Sequence, residues 1–133
     1  MALEVAIAAY TAAQVTAINN RIYALDAPVG VATPYVVFNV VSGGFVHSMG
    51  GDSGLTETRV QFSVYDKNYA TVKGVIEDLK KTYRNYAKGD GTKMGNAQWV
   101  QATLLTNETD MYEDNTNLFH TALDIIFFHM EVD

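Results

Sequence analysis

The segment Gly51-Asp52-Ser53-Gly54 contains the residue types of a nucleophilic serine site. A serine nucleophile needs a histidine base within hydrogen-bond distance and an acid that orients the histidine. His47 lies six residues earlier in the same glycine-rich stretch, where no regular element is expected to hold it against Ser53. We therefore interpret the segment as the tip of a flexible hairpin whose only expected role is to bind a partner protein. The candidate partner-binding residues are Gly50, Gly51, Asp52, Ser53 and Gly54.

Phosphate-binding and metal-binding motifs are missing from the sequence. The glycine-rich segment 89–95 departs from the dinucleotide-binding spacing, and it follows a predicted helix instead of opening one. The three histidines, His47, His120 and His129, have no spacing that would bring three or four metal ligands together. The chain has no cysteine, which excludes disulfides and thiol chemistry. We expect no catalytic residue, no cofactor and no metal, and hence a protein that is not an enzyme.

Four acidic residues cluster in the last third of the chain. Two carboxylates can carry out acid–base chemistry when a pocket perturbs one of them. Here the neighbours are asparagine and threonine, which are typical of turns, so the sequence predicts a solvated acidic turn from Glu108 to Asn117. The alternative is a surface that binds a partner. The candidate residues are Glu108, Asp110, Glu113 and Asp114.

Charge is distributed unevenly along the chain. The total is −6 with a pI near 4.9, which disfavours non-specific binding to nucleic acid or to an anionic membrane. Residues 67–93 carry a net charge of +4 and residues 94–133 a net charge of −7. On the predicted helix, Lys73, Glu77 and Lys81 should pair at i, i+4. A separate row of residues at the same spacing carries positive charges only. This basic stripe consists of Lys80, Arg84 and Lys88.

Two interpretations of the basic stripe remain open. Cations near the C-terminal end of a helix interact favourably with its dipole, which would make the stripe a stabilising feature of one subunit. Alternatively, the stripe contacts the acidic last third of a neighbouring copy, head to tail. A heterologous contact of that kind closes into a ring or continues as a filament.

Periodicity predicts the elements that must position these residues. The order α-β-β-α-β-β predicts a single domain over 1–133, an α+β two-layer sandwich with about four main antiparallel strands and two helices on one face. Flexible loops are expected over about 43–57 and 88–97. The predicted helices cover residues 3–19 and from Asn68 to about Gly89, and the predicted strands cover Tyr35–Val41, Thr58–Tyr65, Trp99–Leu105 and Leu118–Phe128.

Three segments of the chain carry a resemblance to a known family. They are Pro34-Tyr35-Val36-Val37-Phe38, the strand Thr58–Tyr65, and Leu118-Phe119-His120 after the acidic turn. With the long helix, they make residues 20–128 resemble the tail-completion family of tailed bacteriophages. The resemblance implies a tail terminator, or tail-to-head joining protein, whose α+β subunits form a hexameric ring on the tail tube. It carries over no catalytic or binding residue, because the shared motifs are structural.

The resemblance also implies partners and a location. The expected partners are further copies of the chain, the tail tube protein and the head–tail connector protein, while DNA passes through the ring without being specifically bound. The expected location is the head–tail junction of the virion, reached from the host bacterial cytoplasm, with no contact to a membrane. Two alternatives are a head-completion or neck protein of the virion and, more remotely, a small-molecule-binding α+β domain. A small hydrolase using Ser53 would lose its turnover in Ser53→Ala.

Overall fold

The computed structural model describes residues 3–28, 30–48, 51–84, 93–94, 98–113 and 117–130. The predicted α+β class is confirmed, and the main elements follow the predicted order. The two helices are α1 (Leu3–Gln14) and α2 (Tyr69–Arg84), and a 3₁₀ turn covers Thr16–Ile18. The strands are β1 (Ile22–Ala24), β2 (Tyr35–Ser48), β3 (Gly51–Asp66), β4 (Lys93–Met94), β5 (Gln98–Glu113) and β6 (Leu118–Met130).

The strands form one sheet in the order β1-β2-β3-β6-β5-β4. The four long strands pair antiparallel with one another, as the hairpin pattern predicts. The prediction of about four strands omits β1, which pairs in parallel with β2, and β4, which extends the opposite edge. Strands of three and two residues are too short to show an alternating pattern, so the sequence did not indicate them.

The predicted loop over 43–57 is wrong for the residues that the structure describes. β2 continues to Ser48 and β3 begins at Gly51, with pairing from Tyr35 opposite Tyr65 out to Ser48 opposite Gly51. The glycines do not prevent this, because the ladder hydrogen bonds use backbone groups that glycine also has. Of the second predicted loop, 88–97, residues 93–94 form β4, and the remainder lies outside the described residues.

The predicted acidic turn is also wrong over most of its length. β5 runs to Glu113, so Glu108, Asp110 and Glu113 belong to a strand. The sequence understated the strand because its polar residues resemble turn residues. Their alternation across the two faces of the sheet becomes visible only when β5 is paired with β6.

Helix α2 packs on the sheet through the predicted apolar stripe. At the start of the helix, Asn68 accepts a hydrogen bond from the backbone N–H of Ala70 through its side chain, at 2.8 Å. The predicted end at Gly89 lies outside the described residues. Helix α1 ends earlier than predicted, at Gln14, because the chain turns through the 3₁₀ segment to Asn19 with φ 49°. The buried residues of α2 are Val72, Val75, Ile76, Leu79 and Tyr83.

Both helices contribute to one core against one face of the sheet. The Tyr83 ring lies 5.6 Å from the Phe62 ring and 5.3 Å from the Phe127 ring, centroid to centroid. The hydroxyls of Tyr83 and Thr11 share a buried hydrogen bond of 2.5 Å, which joins α2 to α1. The opposite face of the sheet has no helix packed on it within the described part of the chain. The fully buried core residues also include Ile7, Val15, Ile18, Val36, Val60, Val64 and Ile125.

Candidate interaction surface

A cluster of paired charges joins α2 to β5. Lys73 and Lys80 are seven residues apart and therefore lie on one face of the helix, two turns from each other. On β5, Glu108 and Asp110 lie opposite Leu123 and Thr121, both buried, so their side chains leave the strand on the helix side. We call the six residues of this region the charged cluster. They are Tyr69, Lys73, Lys80, Glu108, Asp110 and Thr121.

Glu108 is the centre of the charged cluster. Lys73 Nζ contacts one carboxylate oxygen of Glu108 and Lys80 Nζ contacts the other. These two hydrogen bonds hold the pKa of the Glu108 carboxyl below its usual value. The same bonds raise the pKa of both lysine ammonium groups. All three groups are therefore charged at neutral pH, and their side chains are only 20–28% exposed.

Asp110 completes the charged cluster through hydroxyl groups. The Tyr69 hydroxyl donates to one of its oxygens at 2.6 Å, and the Thr121 hydroxyl donates to the other at 2.9 Å. Those hydrogen bonds, followed by Lys73 Nζ at 3.2 Å, lower the pKa of the Asp110 carboxyl. Every charged group in the cluster has an opposite partner within the same chain, so the cluster fixes the position of α2 on the sheet.

This arrangement changes the interpretation of the charges predicted to form a subunit interface. Lys80 and Glu108 pair with each other inside one chain, and Lys73 pairs with β5 instead of with Glu77 at i, i+4. Lys80 also contacts Glu77 Oε1 at 3.3 Å. Their participation in an interface stays a prediction.

The remaining predicted interface residues divide into three groups. Arg84 is exposed at the end of α2, and within the described residues it has no ion-pair partner. Glu113 lies on the other face of the sheet, where its Oε1 is 3.8 Å from His120 Nδ1. Lys88 and Asp114 lie outside the described residues.

The other face of the sheet carries a column of three stacked rings. Tyr35, Tyr65 and His120 occupy directly opposite positions on β2, β3 and β6. The two tyrosine ring centroids are 5.0 Å apart with an interplanar angle of 17°, and those of Tyr65 and His120 are 4.3 Å apart at 18°. Burial lowers the pKa of the His120 imidazole against the opposing effect of Glu113, so this ring is neutral at pH 7.

A cleft of about 480 Å³ lies against the Tyr35 end of this ring column. The loop between β1 and β2 forms one wall, and Arg21 holds this loop by donating to the backbone oxygens of Pro34 at 2.9 Å and Thr33 at 3.4 Å. Burial, followed by the nearby carboxylates of Glu113 and Asp26, raises the pKa of the Tyr35 phenol. The lining residues used below are Asp26, Tyr35, Tyr65, Lys67, Glu113 and Leu118.

Neither the ring column nor the cleft is predicted by any sequence pattern. Tyr35, Tyr65 and His120 are separated by 30 and 55 residues, and only the register of β2, β3 and β6 brings their rings together. The one available signal was that β2 begins with Tyr35 and β3 ends close to Tyr65, which would place the two rings side by side in a hairpin. Using this signal requires knowledge of the strand register.

The predicted partner-binding residues are placed only in part. Gly51, Asp52, Ser53 and Gly54 belong to β3, and Gly50 lies outside the described residues. In the register, His47 lies opposite Asp52, and an irregularity follows before Leu55. Whether this segment binds a partner stays a prediction.

Metal sites and membrane-spanning helices can be assessed for residues 3–28, 30–48, 51–84, 93–94, 98–113 and 117–130. Within these ranges, no group of three or more histidine, aspartate or glutamate residues is placed to hold a metal ion. Neither helix has the length and apolar character needed to cross a membrane.

The fold matches that of a protein in a virion. A chain in the solved structure of the virion of a native gene transfer agent particle superposes with a TM-score of 0.66, at 13% sequence identity. The match covers 98% of this chain and 98% of that chain. No protein-family model matches the sequence, and no curated protein matches it either. At this identity, the match establishes a shared fold.

Proposed function

We propose that the chain is a virion structural protein of the tail-completion type, a tail terminator that joins the tail to the head. One observation carries the proposal: the fold match extends over 98% of both chains, and the matched chain belongs to a virion. The shared fold therefore spans nearly all of both chains. The bacteriophage family that the sequence resembles belongs to the same class of particle.

In this role the subunits form a ring, most simply a hexamer, that caps the tail tube and contacts the head connector. A ring requires two different surfaces on each subunit, because each contact joins unlike patches. The described residues offer such surfaces at the exposed basic end of α2 and at the acidic cleft. The net charge of −6 favours a channel that DNA crosses without being held. The role involves no catalysis.

Imaging of labelled protein on tail tubes tests the proposal. The chain has no cysteine, so Ala13→Cys, at an exposed position of α1, supplies a single site for a gold label. The labelled protein is mixed with tubes assembled from the tail tube protein of the same particle and viewed by electron microscopy. We expect a label at one end of each tube, and the unlabelled protein should limit tube length when present during assembly.

Tailless heads provide the comparison for the alternative function. A head-completion or neck protein would bind to the connector of tailless heads and leave the tube ends bare. Labels found on heads but on no tube end would contradict the terminator role and support the alternative. Labels on neither structure would contradict both virion roles.

A further inference from the structure

We infer that the cleft beside the ring column is a receptor for an arginine side chain, supplied by Arg84 of a second copy of this chain. This inference rests on the proposed function, because it names the contact through which subunits of the ring would meet. The argument has three parts: the chemistry of the cleft, the availability of the arginine, and the distance between the two.

The chemistry of the cleft suits a flat cation. The column of Tyr35, Tyr65 and His120 presents its terminal ring to the cleft, and a guanidinium group stacks on such a ring through both its planarity and its charge. Two carboxylates, Asp26 and Glu113, line the same space against one ammonium group, Lys67. The lining therefore has a net negative charge. Arginine can satisfy both features at once, because its planar group donates several hydrogen bonds to carboxylates while it stacks.

The electrostatic potential in the cleft also favours binding of an arginine side chain. The carboxylates of Glu113 and Asp26 both act to raise the pKa of the Tyr35 phenol, in addition to the larger effect of burial. The pKa of Tyr65 is raised in the same way, by burial first and by Glu113 second. The rings therefore lie in a region of negative potential, which attracts a cation and repels an anion.

The last turn of α2 carries cationic side chains that form no ion pair among the described residues. Lys73 and Lys80 are engaged in the charged cluster, whereas Lys81 and Arg84 are exposed in the last turn. Within the described residues, neither Lys81 nor Arg84 has an ion-pair partner. Among the described residues, the basic end of the helix is thus the part of α2 whose charge has no partner within the subunit.

Distance assigns the contact to a second copy. Helix α2 begins three residues after β3 ends, at the same end of the sheet as the cleft but on the opposite face. Its 16 residues extend about 24 Å from that end. The C-terminal end of α2 is located by the Thr103 hydroxyl, which donates to the Tyr83 carbonyl. Thr103 lies opposite Phe127, and Phe127 is seven residues along β6 from His120 of the ring column. Arg84 therefore cannot reach the cleft of its own subunit. Donor and receptor at opposite ends of one subunit make the contact heterologous, as a ring requires.

The first experiment tests the cleft without requiring assembly. The purified protein is titrated with N-acetyl-arginine amide, and with the matched neutral N-acetyl-citrulline amide, while the ring resonances of Tyr35, Tyr65 and His120 are followed by NMR. We expect the arginine probe to shift these resonances with millimolar affinity, and the citrulline probe to leave them in place. The shifts should weaken in Asp26→Asn with Glu113→Gln, and strengthen in Lys67→Met. Equal responses to the two probes, or none, would overturn the receptor assignment.

The second experiment tests Arg84 as the occupant. Capping of tail tubes, in the electron microscopy assay above, is compared for the parent, Arg84→Glu and the matched control Glu77→Gln, which alters another exposed charge of α2. Both sites are exposed, so folding is retained and is verified by circular dichroism. We expect Arg84→Glu to lower occupancy of tube ends about tenfold or more, and Glu77→Gln to have no effect. Combining Arg84→Glu with Asp26→Lys and Glu113→Lys, which exchanges the charges of the two patches, should restore capping.

The outcomes separate this inference from the proposed function. If the parent never caps tubes, the terminator role fails. If the parent and Arg84→Glu cap equally well, the terminator role stands and Arg84 is not the occupant. Loss of capping in Arg84→Glu without restoration by the exchanged charges would overturn the pairing of Arg84 with this cleft.

Discussion

Glu108→Gln provides the most direct test of how α2 is attached to the sheet. The substitution keeps the size of the side chain but removes the charge that both Lys73 and Lys80 contact. An exposed ion pair contributes about 0.2–1 kcal/mol, and loss of one partner of a buried pair costs about 3–5 kcal/mol. The three side chains are 20–28% exposed, which places each pair between these limits but nearer the lower one. Two pairs lost together should lower the free energy of unfolding by about 2 kcal/mol.

Urea denaturation followed by far-UV circular dichroism measures this loss, and the pH dependence identifies its origin. The pKa of Glu108 is lowered in the folded state from a reference value of 4.5, so folding favours the charged form. The contribution is therefore complete above the unfolded pKa and is lost as the pH falls through the folded pKa. The difference in the free energy of unfolding between the parent and Glu108→Gln should be constant near neutral pH. It should vanish at pH values below the folded-state pKa of Glu108.

Glu77→Gln is the matched control, because Glu77 contacts Lys80 from a side chain that is 56% exposed. Its effect should not exceed about 0.5 kcal/mol. Double-mutant cycles of Glu108→Gln with Lys73→Met and with Lys80→Met should each show a coupling energy, since the residues are in contact. A loss in Glu108→Gln no larger than in Glu77→Gln, or one that persists unchanged in acid, would refute the reasoning.

Three further predictions concern backbone conformation, the core and the ring column. Gly74→Ala should raise the free energy of unfolding by about 0.5–1 kcal/mol, because the added Cβ on α2 meets no atom within 4 Å. Gly30→Ala should lower the free energy of unfolding by about 1 kcal/mol, because φ at Gly30 is +82°. Equal effects of the two substitutions in thermal denaturation would contradict this. Tyr83→Phe should cost about 1–2 kcal/mol by leaving the buried Thr11 hydroxyl without this partner, and adding Thr11→Val should recover part of the loss in urea titrations; a double variant no more stable than Tyr83→Phe would count against this hydrogen bond. The pKa of His120 is lowered by burial, so the unfolded chain binds its proton more readily and stability should fall as the pH drops below about 6.5; His120→Phe should reduce that dependence in melting curves, and an unchanged curve would refute it.

The apolar pattern predicted α2 and the central strands well, because alternation and the helical repeat record burial directly. The stripe from Val72 to Tyr83 is buried as predicted, and so are the alternating residues Val60, Phe62 and Val64. The same logic failed for Gly43–Ser48 and for Glu108–Glu113, where glycine and charged residues form strands. In those segments pairing with a neighbouring strand decides the conformation, so local composition indicates turns that do not exist.

The candidate interface was predicted in its residue types but not in its pairing. Charge counting along the chain identified a basic segment and an acidic segment, but it could not show that Lys80 and Glu108 pair within one subunit. That pairing requires α2 to cross β5, which follows from how the helix packs on the sheet. The cleft was missed entirely, since its lining comes from residues as distant as Asp26 and Leu118.

The sequence by itself determined the α+β class, the face that α2 buries, the absence of cysteine chemistry and the unequal distribution of charge. These properties depend on residue type and short-range periodicity, which every segment carries regardless of its neighbours. Only the tertiary structure decided which charges are paired within the subunit, which remain exposed, and that three rings from three strands stack beside two carboxylates. Strand register and the docking of α2 set these distances, and both result from packing the whole core at once, which no local pattern encodes.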